Sequence, residues 1–390
     1  MRSTRALIYK DNLIHNLKTV GSFLRPSVKL CVAVKANGYG TGAVTAARTA
    51  LETGAACVAV ATVDEGIELR ENGIACPILL LSLCTEDEMP LAVQHELSPF
   101  VCDSDYIAQF ETAAARAQKK IAVHLAVDTG MGRLGCAVDE AASLAQKIAA
   151  FPHLALAGTC THFASSDEAS ADARAYTERQ FSDFLRAVQS IADAGVNSGV
   201  RHCASSAATC TRPDMQLDMV RVGIAAYGYY GGEADRAAVA SRGQVLKPVM
   251  ALQTQVSAIR RFYAGQCVSY GRTWKAARDT DIAVLPIGYA DGLFRRLSPD
   301  CTHEDAQGKN ERLHVAINGK LFPVVGRICM DQCMVALGCD SGVRRWDTAV
   351  IFGPSESGAL HDAADIAKIA GTIPYEIVTS VSKRVPRVVV

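Results

Sequence analysis

The sequence carries no net charge. Its 40 Lys and Arg residues balance 40 Asp and Glu residues over 390 positions, and no Lys/Arg-rich run or basic stripe stands out. A partner such as nucleic acid or an anionic membrane surface needs an electrostatic footprint, so a small-molecule partner is expected instead. Long apolar runs are also missing. The longest, residues 77–83 with its flanks, falls far short of the roughly 20 residues that span a bilayer. The opening MRSTRALIYKDN has an apolar stretch too short for a signal-peptide core, so a cytoplasmic protein is expected. The 14 cysteines include no CxxC pair and are read as reduced, mostly buried thiols. The nine histidines show neither HxH nor HxxxH spacing, so no metal is expected. There is no internal repeat.

What is present is a chain too long for one hydrophobic core, which points to two domains. The first 225 residues alternate short apolar runs with longer Ala-rich stretches of helical pattern, the signature of parallel strands buried on both faces. Candidate strands are 30–34, 57–61, 78–83, 99–101, 121–127, 154–160, 200–203 and 219–222. Eight such strands with intervening helices make an α/β fold of the (β/α)₈ TIM-barrel type. The fourth is brief and contains Pro99, and without it an open sheet of seven strands is the alternative. After Gly231 and Gly232 the helical pattern fades, and Val/Ile-rich segments broken by Gly, Pro, Asn and Asp take over. The expected domains are a barrel over 1–235, whose first few residues pair with the second domain, and a mainly β domain over 236–390. Candidate strands in the latter are 249–259, 282–287, 314–317, 322–325 and 349–352, with one helix near 363–369.

Lys35 ends the first barrel strand, at the face where barrels of this kind build their active sites. A lone lysine there is ordinarily a solvated strand end, since only a desolvated amine becomes a nucleophile. Its setting, KANGYGTG over residues 35–42, resembles the KANAYGHG-like motif of the alanine racemase family, with Gly38 and Thr41 departing from the commonest form. In that family the lysine binds pyridoxal 5'-phosphate covalently.

The resemblance continues along essentially the whole chain. DTGMGRLG at 128–135 implies that Arg133 supports the cofactor's phenolic oxygen and the substrate carboxylate. THFASSDE at 161–168 implies that His162 lies beside the cofactor ring. RHCASSA at 201–207 is similar to the family's HxANSA, with Ser206 offering its hydroxyl to the phosphate and Ser205 replacing the usual Asn. VRVGIAAYG at 220–228 implies that Gly223 and Ile224 turn backbone N–H groups to the phosphate and that Arg221 faces the pyridine nitrogen. An always-charged guanidinium in that place leaves the ring nitrogen unprotonated and the cofactor a weaker electron sink, which favours racemisation over competing chemistry. In the β domain, CVSYGRTW at 267–274 brings Tyr270, which relatives insert into the partner subunit's active site. PIGYADGL at 286–293 and VGRICMDQ at 325–332 imply that Tyr289 lines the substrate entrance and that Met330, with Asp331, lies against the substrate carboxylate. IPYEI at 373–377 supplies Tyr375, which with Tyr39 belongs to the cofactor-binding set and limits side-chain size.

The resemblance thus implies a homodimeric, two-base racemase that interconverts L- and D-alanine and supplies D-alanine for peptidoglycan. Free lysine and tyrosine titrate near 10.4 and 10, so burial and neighbouring cations have to tune Lys35 and Tyr270 before they can work on opposite faces of the substrate. Relatives often place a carbamylated lysine where this chain has Ala126, which leaves open what holds Arg133. The alternatives are a serine or broad-specificity racemase and, from another class, a non-catalytic pyridoxal-phosphate-binding barrel. A decarboxylase on a similar scaffold would need an acidic partner for the pyridine nitrogen, where this chain has Arg221.

Overall fold

The short apolar runs of the first half form one parallel sheet in the computed structural model, which describes residues 2–300 and 312–390. After a leading strand β1 (Arg5–Ile8) come β2 (Lys29–Ala33), β3 (Cys57–Val60), β4 (Ile78–Leu80), β5 (Ser98–Val101), β6 (Ile121–Ala126), β7 (Leu154–Cys160), β8 (Val200–His202) and β9 (Met219–Val222). The order of this eight-stranded sheet is β8-β7-β6-β5-β4-β3-β2-β9. Two backbone bonds, Arg221 N–H to Ala204 O at 2.9 Å and Asp218 N–H to Arg201 O at 3.1 Å, join its end strands, so the barrel is nearly closed. All four residues of β5 are buried and Pro99 sits in register opposite Leu80, which settles the count at eight rather than seven. A barrel stave only three or four residues long leaves room for a proline, because few ladder bonds depend on any one N–H.

Helices follow the strands, with start signals readable in the sequence. Thr62 and Glu65 form a capping box ahead of Val63–Glu71, Asp103 accepts from Tyr106 N–H ahead of Ser104–Arg116, and Ser170 accepts from Ala173 N–H ahead of Ala171–Asp193. Inside the barrel, Cys31, Cys57, Ala59, Leu79, Phe100, Ala126, Cys160 and Met219 make an apolar plug, so the barrel is a packed core and the chemistry is left to the strand ends. Cys31, Cys57 and Cys160 are free thiols buried there, packed as small apolar side chains.

The second compact unit comprises Met1–Leu13, Tyr39–Thr41 and Lys247–Val390, and the barrel unit takes Ile14–Gly38 and Gly42–Leu246. The division therefore falls at 246/247, and the helix Glu233–Ser241 belongs with the barrel. The β unit contains β10 (Met250–Gln255), β11 (Ala258–Phe262), β12 (Cys267–Val268), β13 (Trp274–Lys275), β14 (Thr280–Leu285), β15 (His314–Ile317), β16 (Lys320–Val325), β17 (Cys333–Gly338), β18 (Thr348–Phe352) and β19 (Arg387–Val389). Its main sheet runs β11-β14-β17-β16-β15-β18-β10-β1-β19, with β1 antiparallel to β10 and parallel to β19.

The run 249–259, expected as one strand, is two. Between β10 and β11 the chain changes neighbours, from β1 and β18 to β14, and the intervening Val256 and Ser257 N–H groups donate to Asp347 O and Val284 O. Strand β17 was not anticipated, although its alternation of buried and half-buried residues has the strand period. Beside the expected helix, Ala363–Ala370, a second runs over Pro374–Ser380, with Pro374 at its first turn. Among the described residues no helix is long and apolar enough to cross a membrane.

Candidate active site

Lys35 follows β2 by one residue and opens a backbone turn of unusual hand. Ala36, Asn37, Gly38 and Tyr39 have φ values of 52°, 55°, 61° and 51°, a left-handed run that residues with a Cβ resist. Three ties hold it. Gly38 N–H donates to Val34 O at 2.7 Å, Asn37 Oδ1 accepts from Ala43 N–H at 3.0 Å, and Glu65 Oε1 accepts from Ala36 N–H at 2.6 Å. Burial first, then the charges of Arg133 and Arg221, hold the Lys35 ammonium below the ordinary lysine range against an opposing pull from Glu65. The amine is therefore biased toward its neutral, nucleophilic form.

Arg221, buried on β9, spends its guanidinium on four acceptors. NH1 donates to His202 O at 2.9 Å and contacts His202 Nδ1 at 2.7 Å, while NH2 donates to Thr161 O at 2.7 Å and contacts His162 Nδ1 at 3.1 Å. Burial, followed by the positive charges of Arg221, Arg133 and Lys35, pushes His162 down to about 3, so it is a neutral imidazole at any physiological pH. A carboxylate near these cations would be bound strongly, whereas a second cation would be repelled.

Ser206, at the start of the short helix after β8, accepts through Oγ from Gly223 N–H at 3.0 Å and Ala225 N–H at 3.4 Å. A hydroxyl that already accepts two bonds keeps its own proton for an anionic oxygen. It stands beside the turn Ile224–Tyr227 that follows β9, and backbone N–H groups at a strand-to-turn junction after the last two barrel strands form the usual phosphate cradle of this architecture. The neighbouring Ser205 lies with its hydroxyl 3.4 Å from that of Ser166.

Arg133 stands in a self-tied loop. Asp128 accepts from Gly130 N–H at 2.9 Å and Gly132 N–H at 3.1 Å, and Cys136 N–H returns to Ala126 O at 3.0 Å. Gly135, with φ 140°, could carry no side chain because a Cβ would lie 2.3 Å from Asp128 N. Ala126 is buried in the apolar plug, and among the described residues no carboxylate pairs with Arg133, which is exposed.

The remaining sequence candidates lie in the β unit. Tyr39 is buried with its ring centroid 6.2 Å from that of Tyr375, and burial pushes its hydroxyl up to about 12, so it stays a proton donor. Gly40 is there because a Cβ would stand 2.1 Å from Val378 O. Tyr270 is 71% exposed, in a turn where Ser269, Gly271 and Arg272 all have positive φ and where Ser269 Oγ donates to Arg327 O at 2.6 Å. Tyr289 and Met330 are exposed on adjoining loops, joined by Tyr289 N–H to Cys329 O and Ala290 N–H to Met330 O, both at 3.0 Å. Asp331 pairs with Arg384 at 2.7 Å, and Arg384 also bonds the fully buried Asp291 at 2.6 Å.

Sequence reasoning passed over Glu65, His124, His202 and Gln180. Gln180 is buried on the helix Ala171–Asp193, where its amide accepts from Ala164 N–H at 2.9 Å and donates to His162 O at 3.2 Å, fixing the loop that carries His162. Only Glu65 has a readable signal, the Thr62-x-x-Glu65 spacing of a helix cap.

Comparison with known proteins matches the chain along its length. A family model described as alanine racemase, N-terminal domain, matches residues 8–231, and one described as alanine racemase, C-terminal domain, matches residues 249–389. The chain is 43% identical to an alanine racemase of Treponema denticola, over 100% of this chain and 98% of that protein. It is 43% identical to one of Treponema pallidum, over 100% and 99%. Among solved structures, alanine racemase of Clostridium difficile 630 superposes with a TM-score of 0.89 at 33% identity, covering 100% of this chain and 96% of that one. Alanine racemase of Bacillus anthracis with bound L-Ala-P gives 0.89 at 31%, covering 100% and 95%.

Proposed function

The chain belongs to the alanine racemase family, and from that premise we propose that it interconverts L- and D-alanine, an isomerase reaction, with Lys35 and Tyr270 as its two acid–base groups. The observation that carries the reading is the placing of Lys35 at a barrel strand's carboxyl end, its ammonium destabilised by burial and by Arg133 and Arg221.

The donor set suits pyridoxal 5'-phosphate. Ser206 offers its hydroxyl and Ile224 its backbone N–H to a phosphate, at a turn where Gly223 N–H is held by Ser206 Oγ, while Lys35 provides the amine. Arg221 and His162 provide a polar wall for an aromatic ring. When bound, the cofactor supplies the electron sink that lets a C–H beside a carboxylate ionise.

The chain's own groups do the rest. Removing the α-proton and returning one from the other side requires two groups on opposite faces. Lys35 Nζ serves one face, biased toward its neutral form because it is desolvated among cations. The Tyr270 hydroxyl serves the other, contributed by a second copy of the chain; its exposure in this chain supports that use. Arg133 and Met330 take the substrate carboxylate, and Tyr289 lines the way in. Arg221 would face the ring nitrogen, where a guanidinium donates a hydrogen bond without giving up its proton. The enzyme acts as a homodimer in the cytoplasm and supplies D-alanine for peptidoglycan.

The test is to incubate purified protein and pyridoxal phosphate with L-alanine or L-serine and follow the D-isomer by chiral chromatography. D-alanine formed fastest supports the reading. Turnover of serine alone would replace the substrate assignment, and turnover of neither would remove the function.

A further inference from the structure

His124, which has no part in the reading above, ends a chain of buried ring contacts that begins at Arg221. Arg221 NH1 lies 2.7 Å from His202 Nδ1, and His202 Nε2 lies 2.9 Å from His124 Nδ1. A guanidinium has donors and no acceptor, so His202 Nδ1 has to be the acceptor. A neutral imidazole that accepts at Nδ1 carries its proton on Nε2, and here that proton points at His124 Nδ1. His124 therefore accepts as well and carries its own proton on Nε2. A proton added to either ring would set N–H against N–H. Burial and the Arg221 charge hold both rings below the ordinary histidine range, His124 at about 4.

The local sequence is built around this ring. The ladder between β6 and β7 shifts register between Val123 and His124, a bulge of the kind that re-aims a side chain. In the shifted register His124 stands opposite Gly158, where a Cβ would lie 2.4 Å from His124 Nδ1 and 2.6 Å from Val200 O. Phe100 closes the other side, its ring centroid 6.1 Å from His124 and 6.0 Å from His202. A bulge, a glycine and a phenyl wall thus orient an imidazole whose one hydrogen-bond partner, among the described residues, is His202.

We propose that His124 is a positioning residue for the racemase reaction: by accepting the Nε2 proton of His202 it holds that ring where its Nδ1 lone pair meets Arg221, and so keeps the guanidinium aimed. Without an acceptor at position 124, the His202 Nε2–H is buried and unsatisfied, and the ring gains by turning toward another acceptor. Turning takes the Nδ1 lone pair off Arg221 and loosens NH1. The consequence for catalysis rests on the reading of Arg221 as the group that faces the cofactor's pyridine nitrogen, whereas the tautomer chain itself does not depend on it.

The test pairs a direct observation of the protons with kinetics. In protein labelled with ¹⁵N-histidine, long-range ¹H–¹⁵N correlation is expected to show His202 unprotonated at Nδ1 and protonated at Nε2. His124→Leu is expected to shift the His202 Nδ1 resonance away from its hydrogen-bonded position and to lower kcat for alanine about tenfold with KM little changed, and His124→Gln, whose amide oxygen accepts, to restore both. An Nδ1–H His202 in the wild-type protein would overturn the proposal, as would a His124→Leu variant with an unshifted His202 Nδ1 and the same kcat. Where His124→Leu does not fold, His124→Phe, which keeps a ring and lacks an acceptor, takes its place. A protein with the expected tautomers and no racemase activity would keep the proton chain and sink the functional reading instead.

Discussion

Glu65 Oε1 accepts the backbone N–H of Ala36 at 2.6 Å, and through that bond a residue on the helix after β3 fixes the turn that follows Lys35. The same carboxylate caps its own helix, taking Ala61 N–H at 2.8 Å and Thr62 N–H at 3.3 Å through Oε2. A left-handed residue with a side chain costs about 1–2 kcal/mol, and this turn has three of them in a row apart from Gly38, so it needs such ties.

Glu65→Ala is expected to lower the stability of the protein by about 1–3 kcal/mol and to lower kcat about tenfold or more, because the amine of Lys35 loses its fixed direction. Glu65→Gln keeps an acceptor oxygen and should lose less of both. Denaturant titration and steady-state kinetics on the two variants check this; equal effects of Ala and Gln would mean that the charge, not the bond to Ala36, matters.

Arg133 acts on Lys35 at a distance, as one of the cations that hold its pKa down. Arg133→Met removes that repulsion, so the Lys35 pKa should rise toward the ordinary value. ¹³C NMR of reductively methylated protein, titrated with and without the substitution, reads the shift directly. The same variant should raise KM for alanine about tenfold while kcat falls less, as expected when a carboxylate partner is lost. An unchanged KM would remove Arg133 from the substrate site.

Much of this was legible beforehand, for a definite reason. Strands buried on both faces leave continuous apolar runs, and all eight barrel strands lie where such runs lie, even β5 with its proline. The motifs at Lys35, His162, Ser206 and Arg221 then fall at strand carboxyl ends without further argument. The β unit was read less well, since the break between β10 and β11 is set by a change of pairing partner that no local pattern announces. Glu65, His124 and Gln180 were invisible as site residues because each works through a group far off in the chain: Ala36, His202 and His162. An imidazole inside an apolar strand looks the same in sequence whether it fills space or fixes a proton.

The buried histidines also set a pH dependence. His124 and His202 titrate below the 6.5 of an unfolded chain, so as pH falls the unfolded state takes up protons first. Stability is complete above pH 6.5 and declines as pH falls toward about 4, the value for His124. Each such group contributes about 1.4 kcal/mol per pH unit across that window. His124→Gln should therefore lose about 2 kcal/mol less than the wild-type protein between pH 6.5 and 5, measured by guanidinium unfolding at both values. Identical losses would show that His124 is protonated in the folded state.

The most direct test of the account is to build one active site from two defective chains. Lys35→Ala and Tyr270→Ala are each expected to be inactive as homodimers. Co-expressed with different tags and purified through both, the mixed dimer would hold one site lacking both groups and one site with both intact, if Lys35 and Tyr270 meet across subunits. It should then recover about half the wild-type rate of D-alanine formation. A mixed dimer as inactive as its parents would contradict the account, because the two residues would then serve the same chain.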